Sequence, residues 1–265
     1  MKNPSHYALI TGATSGIGYE LALLFAKQNY NLIIVSRDLD EMQEKAVEFK
    51  DFGIDVRTIQ ADLFDPKSAF FVCENTEEMG ISVEVLINDA GQGLYGEFKD
   101  TDILRELDIV NLNISSLIIL TKYFIKKMIL NKNGKILNVA SVASKAPGPW
   151  QSVYHGTKAF VLSFTEGIRQ EVKDHNVTVS ALLPGFTNTD FIRKADMEKS
   201  KIFQDKDAMA DPKKVAKDGF EALMSNEDKV ISGLKNKINI ALGNLTPDDV
   251  LAKQMEKKQR PAEEG

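Results

Sequence analysis

The chain has 265 residues, 43% of them hydrophobic, and a single cysteine, Cys73. That suffices for one sizeable core and excludes an internal disulfide. Acidic residues outnumber basic ones, 38 to 33, giving a net charge of −5 with no basic cluster of note. This balance argues against nucleic acid or an anionic membrane as the main partner and suits a soluble cytoplasmic enzyme. Lys2 is followed within ten residues by a glycine-rich turn, so no signal peptide is expected. The longest apolar run, residues 112–130, is broken by Lys122, Lys126 and Lys127 and predicts a buried helix, with no membrane span.

Short β-branched runs alternate with helical patterns from Tyr7 onward. Strands are predicted at 7–10, 31–36, 55–60, 83–88, 135–140 and 177–182, and helices near 16–29, 38–52, 66–80, 100–131 and 152–175. The long helix is expected to break around Asn111–Asn113, and Lys229–Ser232 is expected to add an edge strand. Such alternation is the mark of crossover units, so the fold class is α/β, with a doubly wound parallel sheet of about seven strands and helices on both faces. Leu32-Ile33-Ile34-Val35 is apolar toward both faces, as a doubly covered strand requires. Cys73 falls in a helical pattern, where packing is the simpler role. Residues 184–226 are less regular, with Phe186, Phe191, Ile192, Met197, Phe203 and Met209 scattered among charges, and are expected to fold over a ligand as a substrate lid. A single domain is therefore expected over 1–247, followed by a charged tail, 248–265, read as a short solvated helix with a frayed end.

Gly12, Gly16 and Gly18 follow the first strand directly and open a helix. Small residues there admit a pyrophosphate, and the free amides and dipole of the helix start favour its charge. Gly-Lys-Ser/Thr is missing from this turn, which excludes an NTPase phosphate loop. The second strand ends in Ser36 and Arg37, where an acid would bond the ribose diol of NAD and an arginine accommodates a 2′-phosphate, so NADP is favoured over NAD although Asp38 stands next door. Asp62, after the third strand, suits either an adenine amino group or the cap of the next helix. Tyr154 and Lys158, spaced i,i+4 on a helix, share one face, where an ammonium is expected to lower the phenol pKa from about 10 toward the working pH. Ser141 ends a predicted strand thirteen residues upstream of Tyr154 and is placed to steady the charge on a substrate oxygen. His6, His155 and His175 are too scattered for a metal site, and none is expected.

In this order, the motifs resemble the short-chain dehydrogenase/reductase family, and the resemblance covers residues 6 to about 242. It implies a Rossmann-like fold and a cofactor site built from Gly12, Thr14, Ser15, Gly16, Ile17 and Gly18, with Ser36, Arg37, Asp62 and Leu63 on the adenosine side. Asn88-Asp89-Ala90-Gly91 is similar to the family's Asn-Asn-Ala-Gly segment, and Pro184, Gly185, Phe186, Thr187 and Thr189 to the segment beside the carboxamide. The tetrad is matched by Asn113, Ser141, Tyr154 and Lys158; Asn111 is the other candidate for its asparagine, and Asp89 departs from the family pattern. The implied activity is NADP(H)-dependent reduction of a ketone or aldehyde, or oxidation of the matching alcohol, with Tyr154 as general acid/base and Lys158 also bonding the nicotinamide ribose. A redox sensor without turnover and an NAD-dependent epimerase or dehydratase are the alternatives. The chain is similar to bacterial members of undefined substrate; Leu94, Tyr95, Pro147, Trp150, Phe186, Phe191 and Met197 suggest a hydrophobic small-molecule carbonyl compound. The resemblance also implies a homodimer or homotetramer paired through helices 100–131 and 152–175.

Overall fold

A computed structural model describes residues 6–201, 209–243 and 245–262; Phe203 and residues 263–265, which figured in the lid and the tail, lie outside these. Seven strands, β1 (Tyr7–Thr11), β2 (Asn31–Ser36), β3 (Val56–Gln60), β4 (Val83–Asn88), β5 (Gly134–Val139), β6 (Val177–Leu183) and β7 (Lys229–Ile231), form one sheet in the order β3-β2-β1-β4-β5-β6-β7. Every pairing is parallel. The helices are α1 (Gly16–Lys27), α2 (Leu39–Lys50), α3 (Pro66–Glu78), α4 (Ile103–Val110), α5 (Leu117–Asn131), α6 (Ser152–Val172), α7 (Phe191–Lys194), α8 (Pro212–Met224), α9 (Leu234–Gly243) and α10 (Asp248–Gln259). The strand order reverses at β1, whose neighbours are β2 and β4, so the crevice at the carboxyl ends opens beside the glycine turn.

The all-apolar strands bury both faces. One core joins Leu32 and Ile34 to α1, α2 and α8 through Phe25, Phe49 and Leu223. The other joins Ile33 and Val35 to α3 and α5 through Val72 and Phe124. Phe25 is fully buried, with edge-to-face rings at 5.3 Å (Tyr30) and 4.9 Å (Phe220). Polar side chains cross the sheet centre as a chain: Asn88 donates to Thr121 and to its register partner Asn138, and Asn138 donates to Thr165. These bonds tie β4 and β5 to α5 and α6, though the buried Asn88 Oδ1 itself has no hydrogen-bond partner.

Three regions differ from the sequence reading or refine it. The expected break near Asn111–Asn113 is a π-helical stretch, Asn111–Ser116, between α4 and α5. Within 184–226, α8 is core: Val215, Ala216 and Leu223 are fully buried, and Asp211 caps it by accepting from the Lys213 amide. Its apolar positions are the i,i+4 and i,i+8 stripe of an amphipathic helix, which the lysine-rich stretch around them masks. The tail is also not frayed through Ala262. Gln259 is buried, and its carbonyl accepts from Tyr95 at 2.5 Å and Ser200 at 3.0 Å. The Ala262 amide donates to Lys199.

Phe25→Ala should lower the unfolding free energy by about 3–5 kcal/mol, the range for an emptied aromatic site in a packed core. Urea denaturation followed by circular dichroism, with an unchanged m-value, reads this out.

Candidate active site

Two glycines of the first turn hold positive φ, Gly12 at +72° and Gly16 at +59°, which disfavours a side chain. Gly18 is needed for space, since a Cβ there would overlap the Gly12 carbonyl and the Asp89 carboxylate. Ser15 precedes α1 without a side-chain cap, and the first turn of α1 carries no acid of its own, so the amides of Gly16 and Ile17 stay available to an anion while that of Gly18 meets Asp89. Across the crevice, Thr189 approaches within 3.0 Å of where a Gly16 Cβ would stand, bringing the Pro184–Thr189 segment over the turn.

At the end of β2 the Ser36 hydroxyl lies 3.4 Å from that of Thr14, and the Arg37 guanidinium sits 4.8 Å from the Phe64 ring centroid. Arg105 of α4 meets the same ring at 5.4 Å. The neighbouring Asp38 is engaged elsewhere: it caps α2 by accepting from the Glu41 amide at 3.0 Å. Arg37 thus lines this end of the cleft while Arg105, behind Phe64, pairs with Asp108, and the acid next to Arg37 in the chain is spent on a helix. Asp62 does not cap α3; it accepts from the Phe64 amide, while Asp65 takes the Lys67 amide. Leu63 is buried, and its carbonyl accepts from Ser116 in the π-helical stretch.

β4 delivers the next segment. The Thr11 hydroxyl accepts from the amides of Asp89 and Ala90, each at 3.1 Å, stitching this loop to β1. The Asp89 carboxylate points under the glycine turn and accepts from the Gly18 amide. Burial raises its pKa to about 7 against the opposing pull of Lys158 and that amide. Gly91 leaves room for the Lys158 Nζ and the Asn113 Oδ1, which lie 3.2 and 3.3 Å from where its Cβ would be.

Lys158 is 5% exposed and donates to the Val139 carbonyl at 2.8 Å. Burial lowers its pKa to about 8, with Asp89 pulling upward. Asn113 stands beside it, accepting from the Gln92 amide and donating to the Gln92 carbonyl and Thr157, whereas Asn111 accepts from Ser115 along its own helix. Geometry therefore separates the two asparagines: Asn113 is buried behind the cleft, next to Lys158 at Gly91. The Ser141 hydroxyl accepts from the Ala143 amide at 3.0 Å and hydrogen-bonds Tyr154. The acidified phenol expected from the Tyr–Lys spacing is not found. Burial raises the Tyr154 pKa to about 12, opposed only by the bond to Ser141. The physical reason is direction: Lys158 Nζ is drawn to the β5 carbonyl and lies 6.0 Å from the Tyr154 ring centroid.

Ser141, Tyr154, Lys158, Arg37 and the Gly12–Ile17 turn share one cavity of about 490 Å³, whereas Gly18, Asp62, Asn88 and Asn113 do not line it. Phe186, Phe191 and Met197 line it as expected, while Leu94, Tyr95, Pro147 and Trp150 do not. Tyr95 packs behind it with Phe191 and Met197. The sequence reading missed the far wall, which comes from α9 (Asn236, Asn239, Ile240) and α10 (Leu251, Met255, Gln259). The three-and-four spacing of these residues was the available signal. His155 donates Nδ1–H to the Ala146 carbonyl, and its Nε2 meets the Gln259 amide at 3.2 Å, linking α10 to the residue beside Tyr154. Burial lowers the His155 pKa, so the ring is neutral. Among the described residues no three His, Cys, Asp or Glu side chains are placed to share a metal. Cys73 is buried, and burial pushes its thiol up to about 12, an inert packing residue.

Comparison with known proteins places this geometry. The family model described as short chain dehydrogenase matches residues 6–200. A very-long-chain 3-oxoacyl-CoA reductase of Mycosarcoma maydis is 34% identical over 197 residues, 71% of this chain and 56% of that protein. The ketoacyl reductase HetN of a Nostoc strain is 26% identical over 91% of this chain and 85% of its own length. A solved short-chain dehydrogenase from Sphingobium yanoikuyae, in complex with NADPH, superposes with a TM-score of 0.82 at 26% identity, covering 98% of both chains. The chain spans little more than half the length of the first curated relatives it matches, 53% and 56%.

Asp89 carries a testable consequence. An acid whose pKa rises on folding holds more protons folded than unfolded between about 4 and about 7, so stability is lost as pH rises through that window. Thermal melts at pH 5 and pH 8 should show the parent chain losing more stability than Asp89→Asn, which keeps the shape without the charge. Lys158, with its pKa lowered to about 8, acts only above that range.

Proposed function

Because the chain belongs to the short-chain dehydrogenase family, we propose that it is an NADP(H)-dependent reductase of a ketone carried on an apolar body. The observation that carries this reading is the convergence of Ser141, Tyr154 and Lys158 in one cavity with the uncapped start of α1. The bound dinucleotide supplies hydride, and every other requirement falls on the chain's own side chains. Gly12 to Gly18 hold the pyrophosphate, and Arg37 binds the 2′-phosphate, a role that the engagement of Asp38 at α2 leaves unopposed. Leu63 borders the adenine with Asp62 beside it in the chain, and Ala90 and Gly91 line the path to the nicotinamide end, held from beneath by Asn88. Pro184, Gly185, Phe186, Thr187 and Thr189 close over the carboxamide.

Ser141 orients the substrate oxygen, and Tyr154 gives it a proton as the carbonyl carbon is reduced. The high pKa of this phenol suits that direction. A pKa of about 12 keeps Tyr154 protonated at neutral pH, and an alkoxide, comparable in basicity to hydroxide, takes the proton readily. Lys158 bonds the nicotinamide ribose, and the carbonyl of Asn113 holds a water that returns protons from solvent. The apolar wall of Phe186, Phe191, Ile240 and Met255 fits an acyl or similarly extended substrate. The reductase names of the relatives support a 3-oxoacyl compound. The helix faces that the resemblance assigns to subunit pairing carry exposed Ile103, Leu104, Leu107 and Phe160, which supports a homo-oligomer.

Tyr154→Phe should retain NADPH affinity by fluorescence titration while kcat for ketone reduction falls by roughly 10²–10⁴, the worth of a positioned proton donor. Undiminished turnover in that variant overturns the assignment. Arg37→Ala should raise the KM for NADPH by at least about tenfold with little change for NADH, the loss of one charge-assisted phosphate contact.

A further inference from the structure

α9 faces two ways. Asn236, Asn239, Ile240 and Gly243 turn toward the cavity. The opposite face is apolar and open: Leu234 is 73% and Ile238 51% exposed; Leu242, 61% exposed, stands at the border between the two faces, and Leu245, just past the helix, is 85% exposed. No residue of α9 is buried. A helix that belongs only to a soluble core turns its aliphatic stripe inward; this one turns three large aliphatic side chains to water, and Leu245 beyond its end adds a fourth.

The charges around the stripe differ from those of the chain as a whole. From residue 229 to 247 there are three lysines and no acid, Lys229 pairing with Glu166 of α6, and from Leu234 to Gly265 six Lys and Arg stand against five Asp and Glu, in a chain of net charge −5. At 100° per residue, Lys235 and Lys237 fall on either side of the stripe. On α10, Asp249 pairs with Lys253 and Glu256 with Arg260, and among the described residues no ion pair reaches Lys235 or Lys237 of α9. A second copy of the chain is a poor occupant, because a two-fold contact would set lysine against lysine with no acid on the helix to answer it. Anionic headgroups answer both features. Leu242 also lines the cavity, so the stripe adjoins its mouth.

We propose that α9 docks this protein on an anionic lipid surface, with Leu234, Ile238, Leu242 and Leu245 in the acyl boundary and Lys235 and Lys237 among the headgroups. The cavity mouth then opens at the lipid. This inference stands independently of the reaction, since it rests on the outer face of a wall helix. It amends the expectation drawn from net charge, which averaged a locally basic, apolar face into an acidic chain.

The test is co-sedimentation of the full chain with vesicles of phosphatidylcholine alone and of phosphatidylcholine with phosphatidylserine in a two-to-one ratio. The parent chain pellets with the anionic vesicles, less so as salt rises and little with the neutral ones. Leu234→Gln/Ile238→Gln, two positions outside the cavity, lowers the partition coefficient at least about tenfold while circular dichroism and NADPH binding are unchanged. The proposal is overturned if the parent chain stays in the supernatant of the anionic vesicles, or if the double variant pellets as the parent does. It is equally overturned if sedimentation velocity without lipid shows a parent dimer that the double variant turns into monomer, for then a second copy covers the stripe.

Discussion

The buried ammonium of Lys158 is the constraint around which the cleft is arranged. Burying a cation is costly, and the structure meets that cost with a carbonyl of β5 at 2.8 Å and the nearby Asp89 carboxylate. Its neighbours follow from the same demand. Gly91 is small because Nζ and Asn113 occupy the space a side chain would take, and Asn113 is fixed by both backbone groups of Gln92. The π-helical stretch between α4 and α5 lets one side chain leave the helical ladder and reach this point.

Parallel pairing brings the participants together. Because β1, β4 and β5 run the same way in register, the glycine turn, the Asp89 segment and Ser141 all leave the sheet at one edge. The amide chain from Thr121 through Asn88 and Asn138 to Thr165 fixes α5 and α6 relative to that edge, and so fixes Tyr154 relative to Ser141. A shift of one residue in either strand would break these bonds, and a shift in β5 would turn Ser141 to the other face.

Against this rigid edge, the far side of the cavity is built from late sequence. α9 touches the core chiefly through Ile240, and α10 is held through Gln259, Tyr95 and Ser200. The tail therefore borders the same space as Ser141, Tyr154 and Lys158. His155, beside Tyr154 in the chain, joins the two halves through its neutral ring.

The fold and the turn–tyrosine–lysine set were legible in sequence because they depend on local rules. Glycines after a strand, short runs apolar toward both faces and an i,i+4 pair each imply their geometry within a few residues. The break in the long helix was legible for the same reason. Three features depended on distant partners. α8 reads as lysine-rich until β6 and α1 supply the core for Val215 and Leu223. Gln259 reads as tail until Tyr95 and Ser200 reach it across the fold. The protonation of Tyr154 and Asp89 was beyond any spacing rule, because desolvation is a property of everything packed around a group. Sequence determined which groups sit on one helix face; tertiary packing decided that the lysine points to a carbonyl of β5, that the phenol keeps its proton, and that the last helices wall the cavity, since burial and electrostatics are summed over neighbours far apart in the chain.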